Sequence, residues 1–154
     1  MYTVRGRIAA TAATLDHAIF SVWNPHATQR IKLLSWAIFK EGTGTAGDAL
    51  RLRRISARGT PGSTVTPTIE NHSERGAAPP SGFLLDLSAF TVQPTLIAGE
   101  LGLGWISSAF AAAGGIFAIP GGLIIPPGTG MAFLQDKATI WPISVASVSV
   151  LEDW

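Results

Sequence analysis

Acid–base or nucleophilic chemistry needs an acid, a base and a nucleophile converging on one point, and this chain offers few residues for it. Asp16 stands beside His17, and Asp86 lies two residues before Ser88. Both pairs fall on presumed strands and loops, and no spacing aims either at one substrate. His72 has Glu70 and Glu74 near it, too sparse a set for a metal, which needs a second ligand cluster. The absence of cysteine excludes disulfides, thiolate metal sites and a cysteine nucleophile, and leaves the redox compartment open. EGTGTAGD, residues 41–48, matches GxGxxG through Gly42, Gly44 and Gly47, but DALRLRRISAR follows and alternates like a strand. With no Gly-Lys-Ser/Thr and no helix start to hold phosphates, the segment reads as a hairpin loop. Arg51, Arg53, Arg54 and Arg58 form the strongest local charge. They suit an acidic partner or phosphates, or alternatively a solvated strand face that discourages edge pairing. The expectation is a chain with no catalytic residues, no cofactor and no metal.

Composition points to association. Charged residues make up 14% of the 154, where about a quarter is usual, and 11 basic residues nearly balance 10 acidic ones. Low charge with a positive mean hydropathy implies that much of the surface is hidden by partners. A nucleic-acid binder would need a net basic face, so no nucleic acid is expected. The N-terminus has early arginines but no long apolar run resembling a secretory signal, which predicts an intracellular place of synthesis.

The elements that would carry these residues are strands. Tyr2 to Ile8 alternates, with Thr3, Arg5 and Arg7 on the outer face. Asp16 to Trp23 is a second strand, ended by Asn24-Pro25. In Gln29 to Lys40 helix and strand compete. β-Branched and aromatic content, and the lack of a helix cap, favour a strand buried on both faces. Leu50, Leu52 and the stem of Arg54 share one face of the next strand, and Arg51, Arg53 and Ile55 the other. Residues 59–82, rich in Pro, Gly, Ser and Thr, predict a long polar surface loop with at most one short strand near Val65 to Ile69. Phe83 to Leu87, Phe90 to Ile97, Met131 to Leu134 and the alternating run from Thr139 to Leu151 complete the β pattern.

The most distinctive stretch is Leu101 to Gln135, which contains no charged residue. A membrane helix is disfavoured, because Gly102, Gly104, Gly114 and Gly115 interrupt the apolar run and Pro120 closes it. Leu101, Leu103 and Trp105 instead predict a strand, Ala111 to Gly115 a turn, and Ile116 to Ile125 a return strand bent at Pro120, Gly121 and Gly122. The stretch is expected to be both β core and main contact region. The whole predicts eight to ten short strands in one all-β domain over residues 1–154, a single antiparallel β-sandwich, jelly-roll-like, with strand order unreadable.

Several cues along the chain extend this reading: a strand ending in WNP, then RIKLLSWAIF, LRLRRISARGTPGSTVTP, the polar IENHSERGAAPPSG, IPPGTGMAF and the closing SVLEDW. In this order the chain resembles small β-sandwich virion proteins of tailed bacteriophages, of the capsid decoration, cement or head-fibre type. The resemblance implies a non-enzymatic, oligomeric structural protein, a dimer or trimer on the capsid surface, whose partners are its own copies and the major capsid protein. Large aromatics dominate binding hot spots, so Trp105, Phe110, Phe117, Trp141 and Trp154 are expected as interface or core anchors. Arg51 and Arg53 are expected at the coat-protein contact. The alternative is a receptor- or glycan-binding β-sandwich of a phage fibre or tail, with an exposed Trp stacking on sugar.

Overall fold

A computed structural model describes residues 2–11, 14–41, 49–65, 82–87, 89–99, 101–105, 113–136 and 140–153. Its regular elements are all strands: β1 (Tyr2–Ile8), β2 (Ala18–Asn24), β3 (Arg30–Lys40), β4 (Ala49–Ala57), β5 (Ser63–Val65), β6 (Leu84–Leu87), β7 (Thr95–Leu96), β8 (Gly102–Trp105), β9 (Gly114–Ile125), β10 (Thr129–Gln135) and β11 (Ser144–Asp153). They form two packed sheets. The first has the order β1-β11-β3-β9; the second runs β5-β6-β2-β10-β4-β7, with β8 also on β4.

Every pairing between strands is antiparallel, and the principal pairs are nested: β1 with β11, β2 with β10, β3 with β9, and β4 with β8. Successive pairs go alternately to the first and the second sheet. A long hairpin rolled up so that its rungs alternate between two layers gives this order, which is the jelly-roll arrangement. β5, β6 and β7 lie between β4 and β8 in the chain and extend the second sheet at its two ends. One expectation is corrected here. β9 is not the return strand of β8, since β8 pairs with β4 in one sheet and β9 with β3 in the other. Gly114 and Gly115 belong to β9 rather than to a turn. Of the short strand expected over Val65 to Ile69, β5 (Ser63–Val65) includes Val65, and residues 66–69 lie outside the described residues.

Across the first sheet the register sets aligned rows of residues. Val4, Val148, Trp36 and Phe117 form one inward row. The next inward row is Gly6, Ala146, Ile38 and Gly115. These meet Phe20, Val22, Leu50, Leu52, Met131 and Phe133 of the second sheet in one apolar core. Trp36 stacks on Phe117 at 4.0 Å between ring centroids and reaches Phe133 of the opposite sheet at 5.0 Å. β3 is not buried on both faces as its sequence suggested: Ile31, Leu33, Trp36 and Ile38 point inward, while Phe39 is 42% exposed. Its pairings skip Leu34 on both sides, a bulge that shifts the inward set by one residue. Opposite Leu34, β9 carries the excess residues 119–122, including Gly121 and Gly122 at φ 76° and 71°. Glycine allows that left-handed corner at little cost.

The uncharged stretch divides between two environments. β10 is buried from Gly130 to Gln135 because its neighbours β2 and β4 flank it and both of its faces are covered. Met131 and Phe133 face the main core, while Ala132 and Leu134 pack with Ala18, Ile55 and Phe90 on the outer side. β9, by contrast, ends the first sheet and exposes alternate residues. The cover over β10 is pinned by a Thr60–Val92 bridge and by Ala18 N donating to Gln93 Oε1 at 2.9 Å. Gly59, at φ 73°, makes that bridge possible; an added Cβ would press on the Val92 carbonyl and lie 2.8 Å from Pro94 N. Gly59→Ala is therefore expected to destabilise the fold by about 1–3 kcal/mol, read as a lower urea midpoint at unchanged slope.

Candidate functional site

The arginines expected to meet a partner are engaged within the chain. Arg51, on the outer side of the second sheet, forms ion pairs with Asp16 and, at 3.1 Å, with Asp136, tying the approach to β2 to the end of β10. Arg53 donates to the Ile97 carbonyl at 3.0 Å and Arg54 to the Ile124 carbonyl at 3.0 Å. Arg58 grips the fully buried Asp86 through Nε to Oδ2 at 2.7 Å and Nη2 to Oδ1 at 2.5 Å. Thr64 Oγ1 donates to the same carboxylate at 2.8 Å. Hydrogen bonding to Asp86 raises the Arg58 pKa above its ordinary value. The division of β4 into two faces holds, with Leu50 and Leu52 in the core, but its charge fastens loops and neighbouring strands instead of forming a free cationic face.

The same contacts account for the acid–base candidates. Asp16 turns to Arg51 and not to His17, and Asp86 is committed to Arg58 and Thr64. Ser88, His72, Glu70, Glu74 and the 42–48 loop lie outside the described residues. Among the described residues no group of three His, Asp or Glu side chains could hold a metal ion, and no helix is long and apolar enough to cross a membrane. His17 accepts a hydrogen bond from Gln93 Nε2, 3.1 Å from its own Nε2, and burial lowers its pKa below 6.5. The folded state thus binds the proton less readily than the unfolded chain. Its contribution to stability is complete above pH 6.5 and is lost as pH falls through the lowered folded value. His17→Gln is expected to flatten the acid side of the thermal midpoint against pH between neutrality and pH 5; an unchanged slope would mean another group governs it.

Of the expected aromatic anchors, Trp141 is fully buried in the core, with its Nε1 donating to Ser144 Oγ at 2.9 Å and the Lys40 ammonium 5.1 Å from its ring. Phe117 packs from β9 onto Trp36 and is half-buried. Trp105 contributes its backbone to the β4–β8 pairing opposite Ala49, and its side chain lies outside the described residues, as do Phe110 and Trp154. Beside Phe117 an apolar cleft of about 260 Å³ opens between the sheets, lined by Trp36, Leu52, Leu101, Ile119, Pro120 and Leu123 among others. Among the described residues its lining offers no charged, hydroxyl or amide side chain to orient a ligand.

The outer face of the first sheet has a different character. Its three aligned rows are Thr3, Ser149, Ser35 and Ala118; Arg5, Ser147, Ala37 and Ile116; and Arg7, Val145, Phe39 and Gly114. In these rows small residues floor the middle, Phe39 and Ile116 stand up at one side, and charge lies on β1 at the other, where Arg7 pairs with Glu41 at 2.6 Å. Beyond the Leu34 bulge the same face continues through Leu151, Lys32 and Ile124. Ile116 is 74% exposed. Ile143, just before β11, is 40% exposed and adds to the apolar rim. Sequence reading placed Ile116 within the expected contact stretch of Leu101 to Gln135 but did not single out Phe39 or Ile143 as exposed. Alternation revealed that these strands have two faces, but the bulge at Leu34 hid which one turns outward.

Comparison with known proteins adds no relative to this geometry: no family model, no curated protein and no solved structure matches the chain.

Proposed function

We propose that the chain is a non-enzymatic structural protein of a bacteriophage virion, a capsid decoration or cement protein that associates with its own copies and binds the major capsid protein lattice. The observation that carries this reading is the outer face of the first sheet. It is floored by the small residues Ser35, Ala37, Ser147 and Ser149, has exposed Phe39 and Ile116 on one flank, and bears Arg5 and the Arg7–Glu41 pair on the other. A face floored by small side chains with an apolar flank suits docking onto a folded protein surface better than capture of a small molecule, which favours concave sites with convergent polar groups. At about 25 cal/mol per Å2 of apolar area removed from water, a modest patch gains useful affinity when many copies bind one lattice. Jelly-roll sheets are also an architecture used in viral capsid domains.

The test is co-expression with the major capsid protein of the same genome, followed by sedimentation of assembled shells. The chain is expected to pellet with shells, and Ser147→Arg, which raises a charged side chain from the middle of the face, is expected to leave it in the supernatant with its thermal midpoint unchanged. Intact shells that leave the wild-type chain behind would overturn the reading. Among the described residues the glycan-binding alternative has no supporting feature, since Trp36 and Trp141 are buried and Trp23 is half-buried against the second sheet.

A further inference from the structure

The first sheet ends on β9, and among the described residues no strand lies against its outer edge. The hydrogen-bond pattern identifies which backbone groups face that edge. Lys40 N donates to the Ala113 carbonyl at 2.9 Å, which makes these two a hydrogen-bonded pair. In an antiparallel ladder such pairs alternate, so Ile38 with Gly115 and Trp36 with Phe117 are also bonded pairs. Gly114, Ile116 and Ala118 therefore direct their N–H and C=O groups away from β3.

We infer that residues 114–118 of β9 pair antiparallel with the same residues of a second copy, about a twofold axis beside Ile116. In this register Ile116 meets its own counterpart and Gly114 meets Ala118, so three residue pairs each exchange two backbone hydrogen bonds. Three observations select a second copy. The segment reads small, large, small at Gly114, Ile116 and Ala118, so a twofold axis sets one large side chain at the centre with room on either side. Gly114 to Ile125 carries no charge, so bringing like against like costs no repulsion, and the guarding Lys or Glu common on free edges is absent. The pairable length is bounded, because Pro120 and the Gly121–Gly122 corner break the edge immediately afterwards.

Closure follows from the opposite edge. β1 presents exposed Arg5 and the exposed Arg7–Glu41 ion pair, a charged guard that disfavours a second round of pairing, so the product is a closed dimer and not a filament. The inference deepens the virion reading by naming the self-contact within it. A twofold axis perpendicular to the sheet turns both outer faces to the same side, so one dimer would present two docking faces to a lattice. The pairing itself is a property of the free chain.

The experiment is light scattering of the purified full chain over a dilution series. Five residues of edge pairing fall below the roughly 1,200 Å2 of a stable interface, so the wild-type mass is expected to fall from dimer toward monomer on dilution. Ile116→Lys places two ammonium groups at the axis and is expected to be monomeric throughout with an unchanged thermal midpoint, while Val92→Lys, at an exposed site on the other sheet, behaves as wild type. Because the chain has no cysteine, Ile116→Cys is a clean second probe. Cα atoms about 5.5 Å apart in a bonded pair suit a disulfide, so mild oxidation should link Ile116→Cys dimers and leave Val92→Cys unlinked. A wild-type monomer at every concentration, an Ile116→Lys variant that still dimerises, or an Ile116→Cys variant that does not cross-link would each overturn the pairing. A dimer that ignores capsids would sink the virion reading alone, and a strict monomer that binds them would sink the pairing alone.

Discussion

Arg58→Leu is expected to cost about 3 kcal/mol of stability, the lower part of the range for breaking a buried ion pair. The reason lies in the carboxylate left behind. Asp86 is fully buried on β6 and receives two hydrogen bonds from Arg58 and one from Thr64. Without the guanidinium, a charge on Asp86 keeps one neutral donor, the Thr64 hydroxyl. The value falls at the low end because the Arg58 side chain is 31% exposed, so water can enter the space it vacates. Urea unfolding measures the loss, and the double variant Arg58→Leu/Asp86→Leu is expected to recover most of it, since two apolar side chains leave no buried charge. A single variant as stable as wild type would show that the pair contributes little. The bond raises the Arg58 pKa, so the arginine keeps its charge over ordinary pH and the contribution does not vary there on its account.

Trp141→Ala is expected to cost about 3–5 kcal/mol, the range for truncating a large buried aromatic. The ring is fully enclosed, its Nε1 satisfies Ser144 Oγ, and its backbone exchanges hydrogen bonds with Thr11 on the approach to β2. Truncation opens a cavity and removes the ring facing the Lys40 ammonium. The thermal midpoint should drop by on the order of 10 °C. The folded fraction should keep the wild-type mass in light scattering, the opposite signature to Ile116→Lys. If Trp141→Ala instead dissociated the protein at an unchanged midpoint, its assignment to the core would be wrong.

How far the sequence carried the fold can be followed residue by residue. β1 was legible to its ends, because strict alternation from Tyr2 to Ile8 matches a strand with one buried and one solvated face. The two faces of β4 were legible for the same reason. β3 was harder: the bulge at Leu34 spaces the inward residues Ile31, Leu33, Trp36 and Ile38 by two, three and two, which imitates part of a helical period. The partners of the four arginines could not be read, because Arg51 reaches Asp16 and Asp136, and Arg54 reaches the Ile124 carbonyl, across long stretches of chain. Periodicity records which side chains share a face and carries no information about which distant strand lies alongside. That is why β8 and β9, consecutive and both apolar, were read as partners although they belong to different sheets.

The nested order of the strands also governs when the fold can form. β11 sits between β1 and β3 and supplies Ala146, Val148 and Val150 to the core, yet it is translated after every other described strand. During translation β1 and β3 must therefore wait, with their apolar faces uncovered, for β11 at Ser144–Asp153, and such long separations make β-rich folds slow. Removing β11 would split the first sheet between β1 and β3, whereas removing β1 would take away only its margin. Slow closure from distant ends, with an uncharged edge strand exposed in the meantime, makes nascent chains vulnerable to premature association. The contact suited to joining finished subunits is thus also the one that crowded synthesis would misuse.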